Sequence, residues 1–249
     1  MQQHRQNRAN RARREPARAA GTPDSDGTRE KLLEAAADVF AETGYYGATV
    51  RQICARAGTN IALVNYHFGD KMGLYTEVLQ TSVRTGHVNA IRSALDQNGP
   101  PEDILRAIVR ARMRGMSGGN LADRQFRIVI HELAHPTPAM ARVVDEVTRP
   151  VYKRVLQLIG EIIGLAPEDK KTRLCAHSVM GQMMLYAIGR PFLTRLWPEL
   201  KMTPEQLDCI ADHIADFSLA YLRQAGAKTP AAAGKTGRSK NDTTRNRSY

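Results

Sequence analysis

The sequence predicts an all-α protein: an N-terminal unit of three helices, the last two joined by a tight turn, then a larger set of C-terminal helices. Three observations predict it. Apolar residues recur at three- and four-residue spacing through most of the 249-residue chain. No alternating strand pattern interrupts them, and no internal repeat of about 20 to 50 residues is present. Gly and Pro fall mostly between the periodic stretches, where they punctuate helices.

Residues 28 to 43 fit the first amphipathic helix, with Leu32, Leu33, Ala36, Val39 and Phe40 on one face and Gly44 closing it. Thr49 can cap a second helix whose face is Val50, Ile53, Cys54 and Ala57, and Gly58 supplies the left-handed turn that ends it. Asn60 can cap a third, Ile61 to His67. Two short helices joined by a Gly-containing turn form a helix-turn-helix, which lays its second helix in the major groove of DNA. A longer helix starts near Lys71 and runs to about Leu95. Further helices are expected near 101 to 117, 121 to 134, 138 to 163, 168 to 189, 191 to 197 and 203 to 225. Breaks fall at Gly118-Gly119, His135-Pro136, Gly164 and Pro198, and Pro150 is expected to kink the third of these helices.

The candidate DNA contacts follow from side-chain chemistry. Thr49 and Tyr66 carry hydroxyls suited to phosphate oxygens, and His67 can join them. Lys71 begins a helix, where its ammonium and the free N–H groups suit a phosphate. Arg51 can reach phosphate or a guanine edge, and the Asn65 amide can pair in bidentate fashion with adenine. Ile61, Ala62 and Leu63 can make only apolar contacts, such as with a thymine methyl, and Asn60 contributes as the cap. Tyr45, Tyr46 and Phe68 read as packing residues, with Tyr46 near enough to Thr49 to reach a phosphate.

The stretch TREKLLEAAADVFAETGYYGATVRQICARAGTNIALVNYHFGDKMGLY resembles the DNA-binding domain of the TetR family of transcriptional regulators. The resemblance rests on Phe40, Gly44, Thr49, the run from Ile53 to Gly58, and Tyr66-His67-Phe68 followed by Lys71. Asn60 stands where Ser or Thr is common, which preserves capping. Leu63 and Asn65 stand where a small hydroxyl residue and an aromatic are common, so the base contacts of relatives do not transfer. The resemblance implies a ligand-responsive regulator, a repressor that binds a palindromic operator as a homodimer and is released by a small apolar or aromatic effector.

Four segments are therefore expected: a disordered basic tail over 1–27, the helix-turn-helix DNA-binding domain over 28–75, a helical effector-binding and dimerisation domain over 76–225, and a second basic tail over 226–249. The dimer is expected through the helices near 168–189 and 203–225. One stripe there is Leu174, His177, Ser178, Gly181, Leu185 and Ile188; the other is Leu207, Ile210, Ile214, Phe217 and Tyr221. Met113, Phe126, His131, Met180, Met183, Met184 and Phe192 are the candidate effector contacts, since thioethers and aromatics make adaptable walls.

The formal charge of +11 is concentrated at the ends: residues 1–27 hold six Arg against three acids, and 226–249 hold six Lys or Arg against one. These ends lack the apolar content to fold alone and suit either solubilisation or non-specific attraction to phosphate. No window of 18 unbroken apolar residues occurs and no apolar leader opens the chain, so a cytoplasmic protein without a membrane partner is expected.

An enzyme is not expected. The segment HELAH, His131 to His135, matches the HExxH zinc pattern and offers the rival reading of a metal-sensing or metal-dependent helical protein. Pro136 and Pro138 crowd its helix end, and no third ligand stands out. Cys54, Cys175 and Cys209 are far apart with no CxxC pair, and Cys175 and His177 lie on different helix faces. No Gly-rich phosphate loop is present, and neither a metal nor a cofactor is expected.

Overall fold

The computed structural model describes residues 25–117 and 119–227, and every regular element among them is helical. The order is α1 (Ser25–Gly47), α2 (Val50–Ala57), α3 (Ile61–Phe68), α4 (Lys71–Val83), α5 (Asn89–Leu95), α6 (Pro101–Arg114), α7 (Gly119–Ala134), α8 (Ala139–Val143), α9 (Arg149–Ile163), α10 (Lys170–Ile188), α11 (Arg190–Leu196) and α12 (Pro204–Ala227). The expected basic ends lie outside the described residues except for Ser25–Gly27, which open α1, and Gly226–Ala227, which close α12.

The stop signals act where the sequence placed them. Gly44 adopts φ 66° and interrupts α1 after Thr43, and Gly164 ends α9 in the left-handed conformation. Around Pro150 the helix expected over 138 to 163 is not uniform: α8 gives way to a π-turn and then α9. The proline is the second residue of α9, and the preceding turn, Val144–Thr148, widens into a π-helix, so the chain stays helical past the missing N–H. A second π-turn, Arg84–Val88, joins α4 to α5 within the expected long helix.

The described chain forms two compact units. The first holds the described residues up to Thr81 together with Arg127–Met140. Its core is Leu32, Ala36, Val39 and Phe40 from α1, Ile53 and Cys54 from α2, Val64 from α3, Leu74, Tyr75 and Leu79 from α4, and Ile128 from α7. Phe40 meets Tyr75 edge-on at 4.8 Å between ring centroids, the arrangement aromatic quadrupoles favour.

The second unit holds the remaining described residues. Its core gathers Leu105, Ile108, Val109 and Met113 of α6, Leu156, Ile159 and Ile163 of α9, Cys175, Val179 and Met183 of α10, and Leu207, Ile214, Leu219 and Leu222 of α12. At the flank of α6 a ladder of ion pairs joins it to α12: Arg106–Asp216, Arg110–Asp212, Arg114–Asp208 and Arg223–Glu102. Among the described residues, no helix is long and apolar enough to cross a membrane.

Candidate nucleic-acid interface

The turn between α2 and α3 is built by short-range hydrogen bonds. The Gln52 N–H donates to Thr49 Oγ1 at 3.2 Å, and the Thr49 N–H donates back to Gln52 Oε1 at 2.9 Å, closing a capping box. Gly58 turns left-handed at φ 64°, ψ 35° and donates to the Cys54 carbonyl. Asn60 then caps α3, accepting from the Leu63 N–H at 3.2 Å. Arg56 forks onto Glu42 of α1 at 2.9 and 3.3 Å and fixes the last turn of α2.

Val64 is fully buried against this framework and sets the rotation of α3. With that residue turned inward, Ala62, Asn65 and Tyr66 face solvent, and Ile61, one turn before Val64, is 46% exposed at the edge of that side. Tyr66 is 80% exposed, an unusual state for a phenol in a packed unit, and its hydroxyl is presented outward. Arg51 of α2 is exposed and engages no acid among the described residues. Such a face offers an amide for adenine, methyl-sized surfaces for thymine, and a hydroxyl and a guanidinium for phosphate.

The remaining candidates hold the head together. Leu63 and His67 are half-buried on the flanks of α3. The Thr49 hydroxyl donates to Gln52 Oε1 at 2.8 Å, so its proton is committed to the cap. Lys71 differs most from the expected phosphate ligand. Its Nζ donates to the carbonyls of Tyr45 and Ala48 at 2.8 and 2.9 Å and sits 4.2 Å from the centroid of the Tyr45 ring. These carbonyls lie where α1 ends, and the ammonium neutralises the negative end of that helix. Burial pushes the Lys71 pKa down, while burial and then Asp70 push the Tyr45 phenol up. Tyr46, read as a packing residue, is 70% exposed beside the Thr49 cap. The signal available in the sequence was the paired Tyr45-Tyr46, of which an amphipathic turn can bury only one.

The HELAH segment is used inside the first unit. The Glu132 carboxylate is buried and accepts from the Tyr75 hydroxyl at 2.8 Å, from the Thr137 N–H at 2.8 Å and from the Thr137 hydroxyl at 3.1 Å. Burial and then this carboxylate push the Tyr75 phenol far above its ordinary value. The ring of His131 closes on Gly44, where an added Cβ would stand 3.1 Å from Nδ1. His135 is exposed past the end of α7. Among the described residues no group of three or more His, Cys, Asp and Glu is placed to hold a metal ion, and the Glu132 oxygens are already committed to hydrogen bonds.

The seven expected effector contacts do not form one group. Met113 and Met183 are buried in the core of the second unit, Phe126 is half-buried there, and His131 belongs to the first unit. Met180, Met184 and Phe192 are exposed. They accompany Leu174, Leu185 and Ile188 of α10 and Leu196 and Trp197 at the end of α11, all exposed. The α10 stripe is thus a surface feature along its whole length, as His177, Ser178 and Gly181 are exposed as well. The α12 stripe divides: Leu207, Ile210 and Ile214 enter the core, while Phe217 and Tyr221 are 63% and 54% exposed.

Residues 32–78 match the family profile described as bacterial regulatory proteins, tetR family. Residues 101–222 match the C-terminal domain of the HTH-type transcriptional dual regulator CecR. The dual regulator CecR of Shigella flexneri is 26% identical over 180 residues, covering 69% of this chain and 80% of its own. The HTH-type transcriptional activator FasR of Mycolicibacterium smegmatis is 30% identical over 151 residues, covering 61% of this chain and 66% of its own. The crystal structure of a transcriptional regulator from Pseudomonas aeruginosa PAO1 superimposes with a TM-score of 0.59 at 25% identity, covering 79% of this chain and 92% of that one.

Proposed function

Because the chain belongs to the TetR family of DNA-binding transcriptional regulators and is not an enzyme, we propose that it acts as a ligand-responsive repressor in the cytoplasm. It binds a near-palindromic operator as a homodimer and leaves it when a small effector binds. The observation that carries the DNA-binding face is the outward row Ala62, Asn65 and Tyr66, with Ile61 at its edge, over the buried Val64. In this reading Asn65 and the apolar pair meet base edges, while Tyr66, Arg51, Tyr46 and the N–H groups at the start of α3 meet phosphates. Thr49, Asn60 and Lys71 hold that face in position, and Leu63 and His67 flank it.

The dimer reading is supported by the exposed apolar side chains of α10 and α12. Leu174, Leu185, Ile188, Phe217 and Tyr221 are large, and a solvated monomer gains nothing by displaying them. A two-fold dimer pairs such a face with itself and sets two reading heads on successive major-groove faces. The effector reading is kept for the second unit, and it is supported by Met113 and Met183, the two of the expected contacts that stand in the core of that unit. An effector acts there by binding one conformer better than the DNA-competent one, and its leverage is that difference in affinity.

Selection of the purified protein on a randomised duplex pool at near-physiological salt tests the reading. A palindrome with two half-sites is expected. Retention without sequence preference that vanishes as salt rises would overturn it. A reporter with that palindrome over a promoter then reads the sign: the repressor reading requires lower output when the protein is present.

A further inference from the structure

The arginines of α6 follow a pattern with one exception. Arg106, Arg110 and Arg114 each meet an aspartate of α12, at Asp216, Asp212 and Asp208. Arg112 cannot, because at about 100° per residue its position falls between those of Leu105, Ile108 and Val109. Those three are buried, so Arg112 stands on the core-facing side of the helix. It is half-buried, and among the described residues its guanidinium donates no hydrogen bond and meets no carboxylate. Burial alone pushes its pKa down, with no acidic group to offset it.

A guanidinium does not escape this position by losing its proton, since its pKa remains far above working pH. A charge withdrawn from water without a counter-ion is a standing cost to the fold, and an aliphatic side chain of similar length would avoid it. The neighbours sharpen the contrast. Met113, next in sequence, is fully buried, Met116 is packed against the same core, and α6 lies against α5, α9 and α12. One strong cation with unused donors thus stands in a thioether- and aliphatic-rich setting, while its partial exposure leaves it reachable from solvent.

We propose that Arg112 anchors the acidic head of an amphipathic ligand, a carboxylate or phosphate joined to an apolar body, bound in the C-terminal unit. The planar fork of the guanidinium matches two oxygens of either head group, and the adaptable side chains beside it receive the body. This rests on the reading of that unit as the effector-binding part, and it narrows the effector from any apolar molecule to an anionic amphiphile.

The test is calorimetric titration of the full chain and its Arg112→Met and Arg112→Lys variants with decanoate, decyl phosphate and decanol. At least one of the two anions is expected to bind wild type about tenfold or more tightly than Arg112→Met, with Arg112→Lys between them. Decanol is expected to show no such difference. Which anion is preferred identifies the head group. Without ligand, Arg112→Met is expected to melt at or above wild type, because an unpaired charge has been removed; a merely structural arginine would melt lower. Failure of both anions to bind, equal affinity for wild type and Arg112→Met, or a lower-melting variant would each overturn the proposal. Affinity for the selected DNA is read on the same preparations. A bound anion that leaves it unchanged supports the Arg112 site and overturns only its role as an effector site.

Discussion

The Lys71 ammonium is 2.8 Å from the carbonyl oxygen of Tyr45 and 4.2 Å from the centroid of the same residue's ring. One side chain thus holds both ends of the link from α1 to α2, since it also meets Ala48, the residue before the Thr49 cap. Lys71→Met keeps the stem and removes the charge. It is expected to destabilise the first unit by about 1–3 kcal/mol, the range for carbonyls left without a charged donor. Thermal unfolding measures this. The slope of DNA affinity against salt should change by less than one phosphate contact if Lys71 serves as a clamp.

Arg51→Ala should do the reverse. The side chain is exposed and pairs with nothing among the described residues, so the melting temperature should stay within the small range of surface changes. Its DNA affinity should fall on all sequences, with the salt slope reduced by about 1. Asn65→Ala should instead relax preference at one base position of each half-site, by about 1–3 kcal/mol. A uniform loss over all sequences would remove Asn65 from base reading.

Phe217→Glu tests the assembly. The side chain is 63% exposed, so a monomer should tolerate the charge, whereas a self-paired face would bring two carboxylates together in an apolar seam. Sedimentation is expected to show monomers that remain helical, with affinity for the two-half-site DNA reduced. Unchanged dimers would move the seam elsewhere.

The ladder between α6 and α12 predicts acid sensitivity. Hydrogen bonding to Arg223 lowers the Glu102 pKa, and hydrogen bonding to Arg114 lowers that of Asp208. Groups depressed in the folded state contribute stability that is fully present above their ordinary carboxylate values. That contribution is lost as pH falls through the lowered ones. The pH dependence of unfolding should therefore steepen below the ordinary carboxylate range. Glu102→Gln and Asp208→Asn together should flatten it, and added salt should do the same to a lesser degree.

Legibility in the sequence follows the reach of each interaction. Gly44, Gly58 and Gly164 and the caps Thr49 and Asn60 act within four residues, and their helix ends stand where the sequence placed them. The Lys71 clamp is not legible because its partners lie 23 and 26 residues upstream, and a basic residue opening a helix looks the same whether it faces phosphate or a helix end. Glu132 has a zinc-motif spacing, but its partner Tyr75 is 57 residues away, and no local pattern records that pairing. Met180 and Met113 share a residue type and a helical spacing, and only the packing of neighbouring helices separates exposed from buried.

The division of α12, with Leu207, Ile210 and Ile214 inside the core and Phe217 and Tyr221 on the surface, sets different evolutionary constraints along one helix. In an alignment of homologues, the first three should covary with residues of α6 and α9 in the same molecule, as interior volumes compensate one another. Phe217 and Tyr221 should covary instead with positions too distant in the monomer to touch. That signal would report contacts between copies, and it would be lost in any lineage that had given up pairing.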